Sequence, residues 1–445
     1  MASFLKTPVF DTAVYAGRRA RLMAKLPDNS VLLVSSATEI TRSRDTEFAF
    51  RQDSDFNYLT GFPEPDALLI LQKSTNGGIT ELLLCRPKDE LAEIWQGRRF
   101  GPEQAAKHFG LPAVSNEQLT QEVQNALNQK TTLVYSQGLY TQLDDLVSST
   151  LATLRKYPKK GFQAPNQQLD LRPMIAELRL FKDDAEISLL QQACIISADS
   201  HKQAMRQCKA GMWEYQLEAI IRHHFAMQGA REPGYNTIVG GGENGCILHY
   251  TDNNAQLQDG DLVLIDAGGE LAGYTADITR TFPVSGKFSA EQAALYQVVL
   301  NAQYAACAAV KPGNSSKDTV AAAIFELTKG LLELGILQGE LDALIKEQAC
   351  KKYFIHGLGH WLGLDVHDVG AYKVNDVERP FEPGMVLTIE PGLYIPTGSD
   401  CDKKWWGLAV RIEDDLLVIK DGHLNLTHTA PKEIAAIEAL MAGLH

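Results

Sequence analysis

The chain has 445 residues, 45% of them hydrophobic and 22% charged, with 42 Lys and Arg against 55 Asp and Glu for a formal net charge of −13. This balance excludes a disordered chain, a collagen-like repeat and a disulfide-stapled miniprotein. The acidity excludes a nucleic-acid partner as the expected one, because neutralising phosphates needs a local surplus of Lys and Arg.

At the N-terminus, MASFLKTPVFDTAVYAGRRARLMAKLPDN carries no apolar run behind its basic residues, so neither a secretory nor a twin-arginine signal is read. No uncharged apolar stretch approaches the roughly 18 residues that span a bilayer, so no membrane partner is expected. Cys85, Cys194, Cys208, Cys246, Cys307, Cys350 and Cys401 are scattered and never form C-x-x-C. They read as reduced, buried small hydrophobes in a cytoplasmic protein.

Short apolar runs bounded by turn residues predict strands over Val31–Ser35, Ala67–Gln72 and Glu81–Cys85. Helical spacing follows over Leu119–Asn128 and Leu143–Leu154. From Lys156 to Pro173 the composition turns to Pro, Lys and Gln, which marks the domain boundary. We therefore expect an α/β domain over 1–175 and a second domain over 176–445.

In the second domain, helices are expected at Glu186–Cys208 and Glu214–Met227. Strand-like segments follow at Cys246–Tyr250, Leu262–Asp266 and Tyr274–Val284. Ser289-Ala-Glu-Gln292 is a capping box that opens a helix ending at Lys311–Pro312–Gly313. Another helix covers Asp318–Leu334, and strands return at Met385–Ile395 and Leu408–Ile419. The order helix, helix, strands occurs twice, which predicts an α+β domain with an internal pseudo-two-fold and one sheet face free for a site.

Acids interrupt the apolar strand runs of this domain. Asp266 ends LVLID, Asp277 lies in YTADITRTF, Glu390 in MVLTIEPG and Glu413 in LAVRIEDD. Burying a carboxylate costs several kcal/mol unless it is paired or bound to a cation. Singly, each acid reads as a turn former or as the partner of Arg280 or Arg411, and Asp414–Asp415 reads as a solvated turn. As a recurring set of four they point to a site.

A His-rich segment, FIHGLGHWLGLDVHD, lies between the second and third acids and contributes His356, His360 and His367, with His249 in CILHYTD as a fourth. His356 and His360 are four apart, but Gly357 and Gly359 and the missing Glu exclude a zincin helix. The glycines imply backbone close to another segment or a ligand. Four carboxylates with an imidazole suit Mn²⁺, Co²⁺ or Zn²⁺, with Mn²⁺ favoured by the oxygen-rich set. Four negative charges exceed the need of one divalent ion, so a two-ion centre is expected. Gly240–Gly245 matches G-x-G-x-x-G, yet the following CILHY reads as a strand where a dinucleotide fingerprint needs a helix.

At these residues the chain resembles the creatinase/aminopeptidase P family of pita-bread metalloenzymes. The matching pieces are ILHYTDN, LVLIDAGGE, YTADITRTFP, HGLGHWLGLDVHD, VLTIEPGLYI and RIEDD, with FRQDSDFNYLTGFPEPDA in the N-terminal domain. The resemblance implies a creatinase-like first domain, a pita-bread catalytic domain and five metal ligands: Asp266, Asp277, His360, Glu390 and Glu413. Asp277 and Glu413 would bridge two ions, Asp266 would bind one, and His360 and Glu390 the other. His249 and His367 would flank the substrate, His356 would line the pocket, and Arg411 and Tyr394 would steady the carboxylates.

The implied activity is release of the first residue from peptides with an N-terminal Xaa-Pro sequence, with Glu390 as proton acceptor. His360–Trp361 and its flanking residues resemble the aminopeptidase branch more than the dipeptidase branch, which remains the nearest alternative. A non-catalytic peptide- or protein-binding module of the same fold is a third reading, against which stands the complete ligand set. The family also implies a homodimer or homotetramer, with Trp95 a candidate contact at a neighbouring site.

Overall fold

The computed structural model describes residues 9–443, and the chain divides into two compact units between Arg179 and Leu180. The division falls later than the expected 175/176 because the segment Lys156–Pro173 is not a linker throughout. Gln167–Asp170 pairs in parallel with Thr132–Tyr135 as the last strand of the first unit's sheet. Leu171 and Ile175 are then buried, which draws the helix Arg172–Leu180 into that unit's packing.

The first unit is built on six strands in the order Ala113–Ser115, Ile79–Cys85, Leu68–Lys73, Ser30–Ser35, Thr132–Tyr135 and Gln167–Asp170. Ser30–Ser35 is central, antiparallel to Leu68–Lys73 and parallel to Thr132–Tyr135. Its SVLLVS run is apolar without alternation because both of its faces are covered. Helices Leu119–Leu127 and Thr141–Lys156 cover one face, where Val31, Leu33, Ile70, Leu84, Val123 and Val147 form a cluster. Each such side chain, fully buried, contributes roughly 1.5–3 kcal/mol.

In the second unit the helices Asp184–Gln207, Glu214–Met227, Ala290–Ala309 and Ser316–Glu333 stand where the periodicity puts them. The predicted box at Ser289 forms: Gln292 N–H donates to Ser289 Oγ at 3.2 Å, and Ser289 N–H donates to Gln292 Oε1 at 2.9 Å. The strands make several small antiparallel sheets. Ile238–Gly241, Leu262–Asp266 and Thr279–Pro283 form one, Val386–Ile389, Asp414–Ile419 and Gly422–Asn425 a second, and Gly392–Ile395 with Leu408–Arg411 a third.

Two local expectations are corrected. Cys246–Tyr250 is not a strand. A short 3₁₀ turn, Gly242–Cys246, runs into a further turn there, and Asn244 and Tyr250 spend their polar groups on Glu214. The glycine-rich run thus begins inside an antiparallel strand, with Gly240 and Gly241 paired in it, and opens no α-helix. The long strand runs at Tyr274–Val284, Met385–Ile395 and Leu408–Ile419 are each broken in two. The breaks fall at Asp277, Glu390 and Glu413, which sit in gaps between short strands, whereas Asp266 is the last residue of its strand. A residue in such a gap is released from the ladder, so its side chain can turn away from the sheet's alternation.

All seven cysteines are free thiols; Cys85, Cys194, Cys307 and Cys350 are buried, whereas Cys208, Cys246 and Cys401 are only partly so. Among the described residues no helix is long and apolar enough to cross a membrane. Trp95 lies on the short helix Glu90–Gln96 and is 81% exposed beside Leu91 and Ile94, so it does not serve packing within this chain.

Candidate metal centre

Asp266, Asp277, His360, Glu390 and Glu413 all line one cavity of about 560 Å³, together with His249, His356, His367, Arg411 and Tyr235. Asp277, His360 and Glu413 each offer a donor atom, and these atoms lie within 4.8 Å of one another. His360 Nε2 is 3.3 Å from Asp277 Oδ2 and 3.7 Å from Glu390 Oε1. Asp266 joins the group through the Tyr235 hydroxyl, 2.6 Å from Asp266 Oδ1 and 2.5 Å from Asp277 Oδ1.

The His-rich segment is a loop, as its glycines require. A Cβ on Gly359 would lie 2.0 Å from the Thr388 carbonyl oxygen, so only glycine lets the loop press against the strand that precedes Glu390. At Gly357 a Cβ would meet open space, so close approach does not explain that glycine. His360 N–H donates to Thr388 Oγ1 at 3.1 Å, and its Nδ1 lies 3.0 Å from the Trp361 carbonyl oxygen. A carbonyl only accepts, so Nδ1 carries the hydrogen and Nε2 faces the carboxylates as the atom that could bind a metal.

Arg411 organises the opposite wall. Its guanidinium donates to Asp266 Oδ2 at 2.7 Å, to Thr279 Oγ1 at 3.0 Å and to the Tyr394 hydroxyl at 2.8 Å. Thr279 Oγ1 in turn donates to Glu413 Oε2 at 2.7 Å. The Tyr394 hydroxyl is 2.8 Å from His356 Nε2, and His356 Nδ1 is 2.6 Å from the Gly357 carbonyl oxygen. His356 is thereby held as a neutral imidazole, and burial followed by the nearby Arg411 charge lowers it to about 4. His249 and His367 are exposed residues of the cavity wall, and the His367 ring packs edge-on at 4.3 Å from that of His360.

The electrostatics describe a cage short of positive charge. Burial and the neighbouring acids raise Asp277 and Glu413, and burial leads the rise of Glu390 to about 7. Burial pushes Asp266 up as well, but Arg411 and Tyr235 outweigh it and hold that carboxyl below its ordinary value. Burial disfavours a charged His360, yet Asp277 and Glu390 raise it to about 9. The Tyr235 phenol has one hydrogen and two carboxylate oxygens within bonding distance, so without a cation the second contact needs a proton on a carboxyl group. Protons would have to stand where divalent cations fit, and the oxygen-rich donor set suits such ions.

Arg280, an alternative partner for the strand acids, instead pairs with Asp414 at 2.6 Å. Asp414 and Asp415 are buried, not a solvated turn, because the chain re-enters a strand at Asp414 and both carboxylates are hydrogen-bonded inside.

The sequence profile of metallopeptidase family M24 matches residues 188–420. An Xaa-Pro aminopeptidase of Escherichia coli is 46% identical over 96% of this chain and 97% of its own length. The chain belongs to metallopeptidase family M24. A second M24 relative, an Xaa-Pro aminopeptidase of Haemophilus influenzae, is 46% identical over 95% of this chain and 96% of its own. The profile of the aminopeptidase P N-terminal domain matches residues 15–135. Among solved structures, proline aminopeptidase P II from Yersinia pestis superimposes with a TM-score of 0.95 at 47% identity, covering 97% of this chain and 100% of that one. Zinc-substituted E. coli aminopeptidase P in complex with product gives 0.96 at 44% identity, covering 98% and 99%.

Sequence reasoning missed several residues of this M24 site. Tyr235 has no pattern to betray it, since it lies in an irregular stretch far from the acids it touches. Thr279 was visible only as a strand residue, although its place two positions after Asp277 was a usable signal. Thr388 stands two residues before Glu390 in the same way.

Proposed function

We propose that this protein is a cytoplasmic metallo-exopeptidase that releases the N-terminal residue from peptides with proline in second position. The observation that carries the reading is the convergence of four carboxylates and the His360 Nε2 on one cavity. Asp266, Asp277, His360, Glu390 and Glu413 would hold two divalent cations, Mn²⁺ first among candidates by the oxygen-rich set, with Co²⁺ or Zn²⁺ as alternatives. When bound, the ions would polarise the scissile carbonyl and lower the pKa of a water.

The chain's own groups do the rest. Glu390, partly buried and within 3.6–3.7 Å of His356 Nδ1 and His360 Nε2, would accept a proton from the attacking water and pass it to the prolyl nitrogen. The Xaa-Pro amide has no N–H of its own, so the leaving nitrogen depends on this transfer. His249 and His367, at the exposed wall, stand where they can donate to the oxyanion that develops on the carbonyl. The cluster of acids meets the free amino terminus and limits cleavage to one residue.

Exposed His249 and His367 leave room for a chain that continues past proline, which favours the aminopeptidase over a dipeptidase. The exposed apolar group Leu91, Ile94 and Trp95 supports a homodimer or homotetramer. The test is a tripeptide Xaa-Pro-Yaa incubated with the Mn²⁺-loaded protein. Release of free Xaa supports the proposal, cleavage of the Xaa-Pro dipeptide alone makes it a dipeptidase, and no turnover leaves a binding module.

A further inference from the structure

Among the fully buried polar side chains of the long helix Asp184–Gln207, Cys194, Ser197 and His201 are spaced three and four apart and therefore lie on one face. The reaction described above uses none of them. An apolar face would bury this helix at lower desolvation cost, so each polar group needs a reason. Two of them, His201 and Ser197, reach backbone just after the candidate ligand Asp266. His201 Nε2 lies 2.9 Å from the Ala267 carbonyl oxygen, which can only accept, so the imidazole donates. Ser197 Oγ accepts the Gly269 N–H at 2.9 Å while donating to the Ala193 carbonyl at 2.8 Å.

Cys194 completes the stripe through a relay. Its Sγ donates to Asp415 Oδ2 at 3.3 Å, and the same oxygen accepts the Asp277 N–H at 2.9 Å. Ala198, on the next position of the helix face, packs with Ile278. Asp277 sits in the gap between Tyr274–Thr275 and Thr279–Pro283, where strand pairing does not set its backbone. Gly268 explains why the two segments lie so close: a Cβ there would be 1.7 Å from the Ala276 carbonyl oxygen. One helix face thus grips the residues just after Asp266 and, through Asp415, the amide of Asp277.

We propose that Cys194, Ser197 and His201, together with Asp415, are positioning residues that set the backbone carrying Asp266 and Asp277 so that both carboxylates meet the metal ions in register. The inference rests on the assignment of those two acids as ligands. Partners behind a ligand of this kind typically carry about 10–100-fold in metal affinity or activity.

The test titrates MnCl₂ calorimetrically into the full-length, metal-free chain and follows tripeptide hydrolysis in parallel. Wild type should take up two equivalents. Asp415→Leu and Ser197→Ala should weaken at least one binding step about tenfold or more and lower kcat, with KM for the tripeptide changed by less than about twofold. Asp415→Asn, whose amide oxygen still accepts both donors, should recover most of the loss. Wild-type Mn²⁺ affinity in folded Asp415→Leu, or equal impairment in Asp415→Asn, overturns the proposal. If Asp415→Leu does not fold, Cys194→Ala and Ser197→Ala decide it, and unaltered Mn²⁺ binding in both overturns it. A wild-type chain that binds no Mn²⁺ removes the ligand assignment itself and the positioning role with it.

Discussion

Arg280→Met is the sharpest perturbation the fold offers outside the candidate ligands. Arg280 is fully buried and spends every guanidinium hydrogen. It donates to the carbonyl oxygens of Thr279 at 2.9 Å, Glu413 at 2.6 Å, Ala430 at 3.0 Å and Pro431 at 3.1 Å, and to Asp414 Oδ1 at 2.6 Å. Breaking a buried pair from one side costs about 3–5 kcal/mol. Asp414 keeps Lys432 at 2.6 Å, Gln303 at 2.7 Å and Asn425 at 2.9 Å, so its charge is not stranded, and the lower end, about 3 kcal/mol, is expected.

The assay is urea unfolding of the metal-free chain, fitted as separate transitions for the two compact units. The loss should fall on the second unit. A shift there below about 1 kcal/mol, the scale of an exposed pair, would refute the reasoning.

The same pair sets an acid limit. Burial pushes the Asp414 carboxyl up, but Arg280 and Lys432 outweigh it and hold it well below the usual range. A depressed folded pKa contributes stability above the unfolded value of about 3.9, and that stability is lost as pH falls through the folded value. Arg280→Met should therefore bring the acid transition of the second unit to higher pH.

Glu390→Gln should keep the fold and lose about 10²–10⁴-fold in kcat, measured on a tripeptide; near-normal turnover would remove Glu390 from the proton-acceptor role. Metal loading should release protons, because His360 stands at about 9 and Glu390 at about 7 without a cation. Mn²⁺ affinity should accordingly rise with pH up to about 9, and equal calorimetric heats in buffers of different ionisation enthalpy at pH 7 would contradict this. In the metal-free chain the raised His360 contributes stability that is full below its unfolded value of about 6.5 and lost as pH rises through about 9. Tyr235→Phe, which deletes the hydroxyl between Asp266 and Asp277, should weaken Mn²⁺ binding about tenfold, with unchanged affinity as the refuting result.

Much of this protein could be read along the chain because its signals are local. Helices such as Ala290–Ala309 follow from their own periodicity and from the Ser289 box, whose two bonds span three residues. The acids stood out because a carboxylate in an apolar strand run is costly wherever the run ends up. What the run could not reveal is that it breaks at the acid. Glu390 and Glu413 leave their strands because the segments on either side join different sheets, and sheet membership is decided by pairing with residues far away.

Tertiary structure alone also assigned the partners. Arg280, three residues after Asp277, and Arg411, two before Glu413, look alike in sequence, yet one holds Asp414 in the core and the other Asp266 at the cavity. Tyr235, Cys194, Ser197 and His201 carry no motif, because their hydrogen bonds join segments whose separation along the chain encodes nothing. Composition and spacing determined which residue types this protein would gather. Pairing and packing between segments far apart in the chain decided where they meet, since a hydrogen bond depends on distances in space that sequence order does not contain.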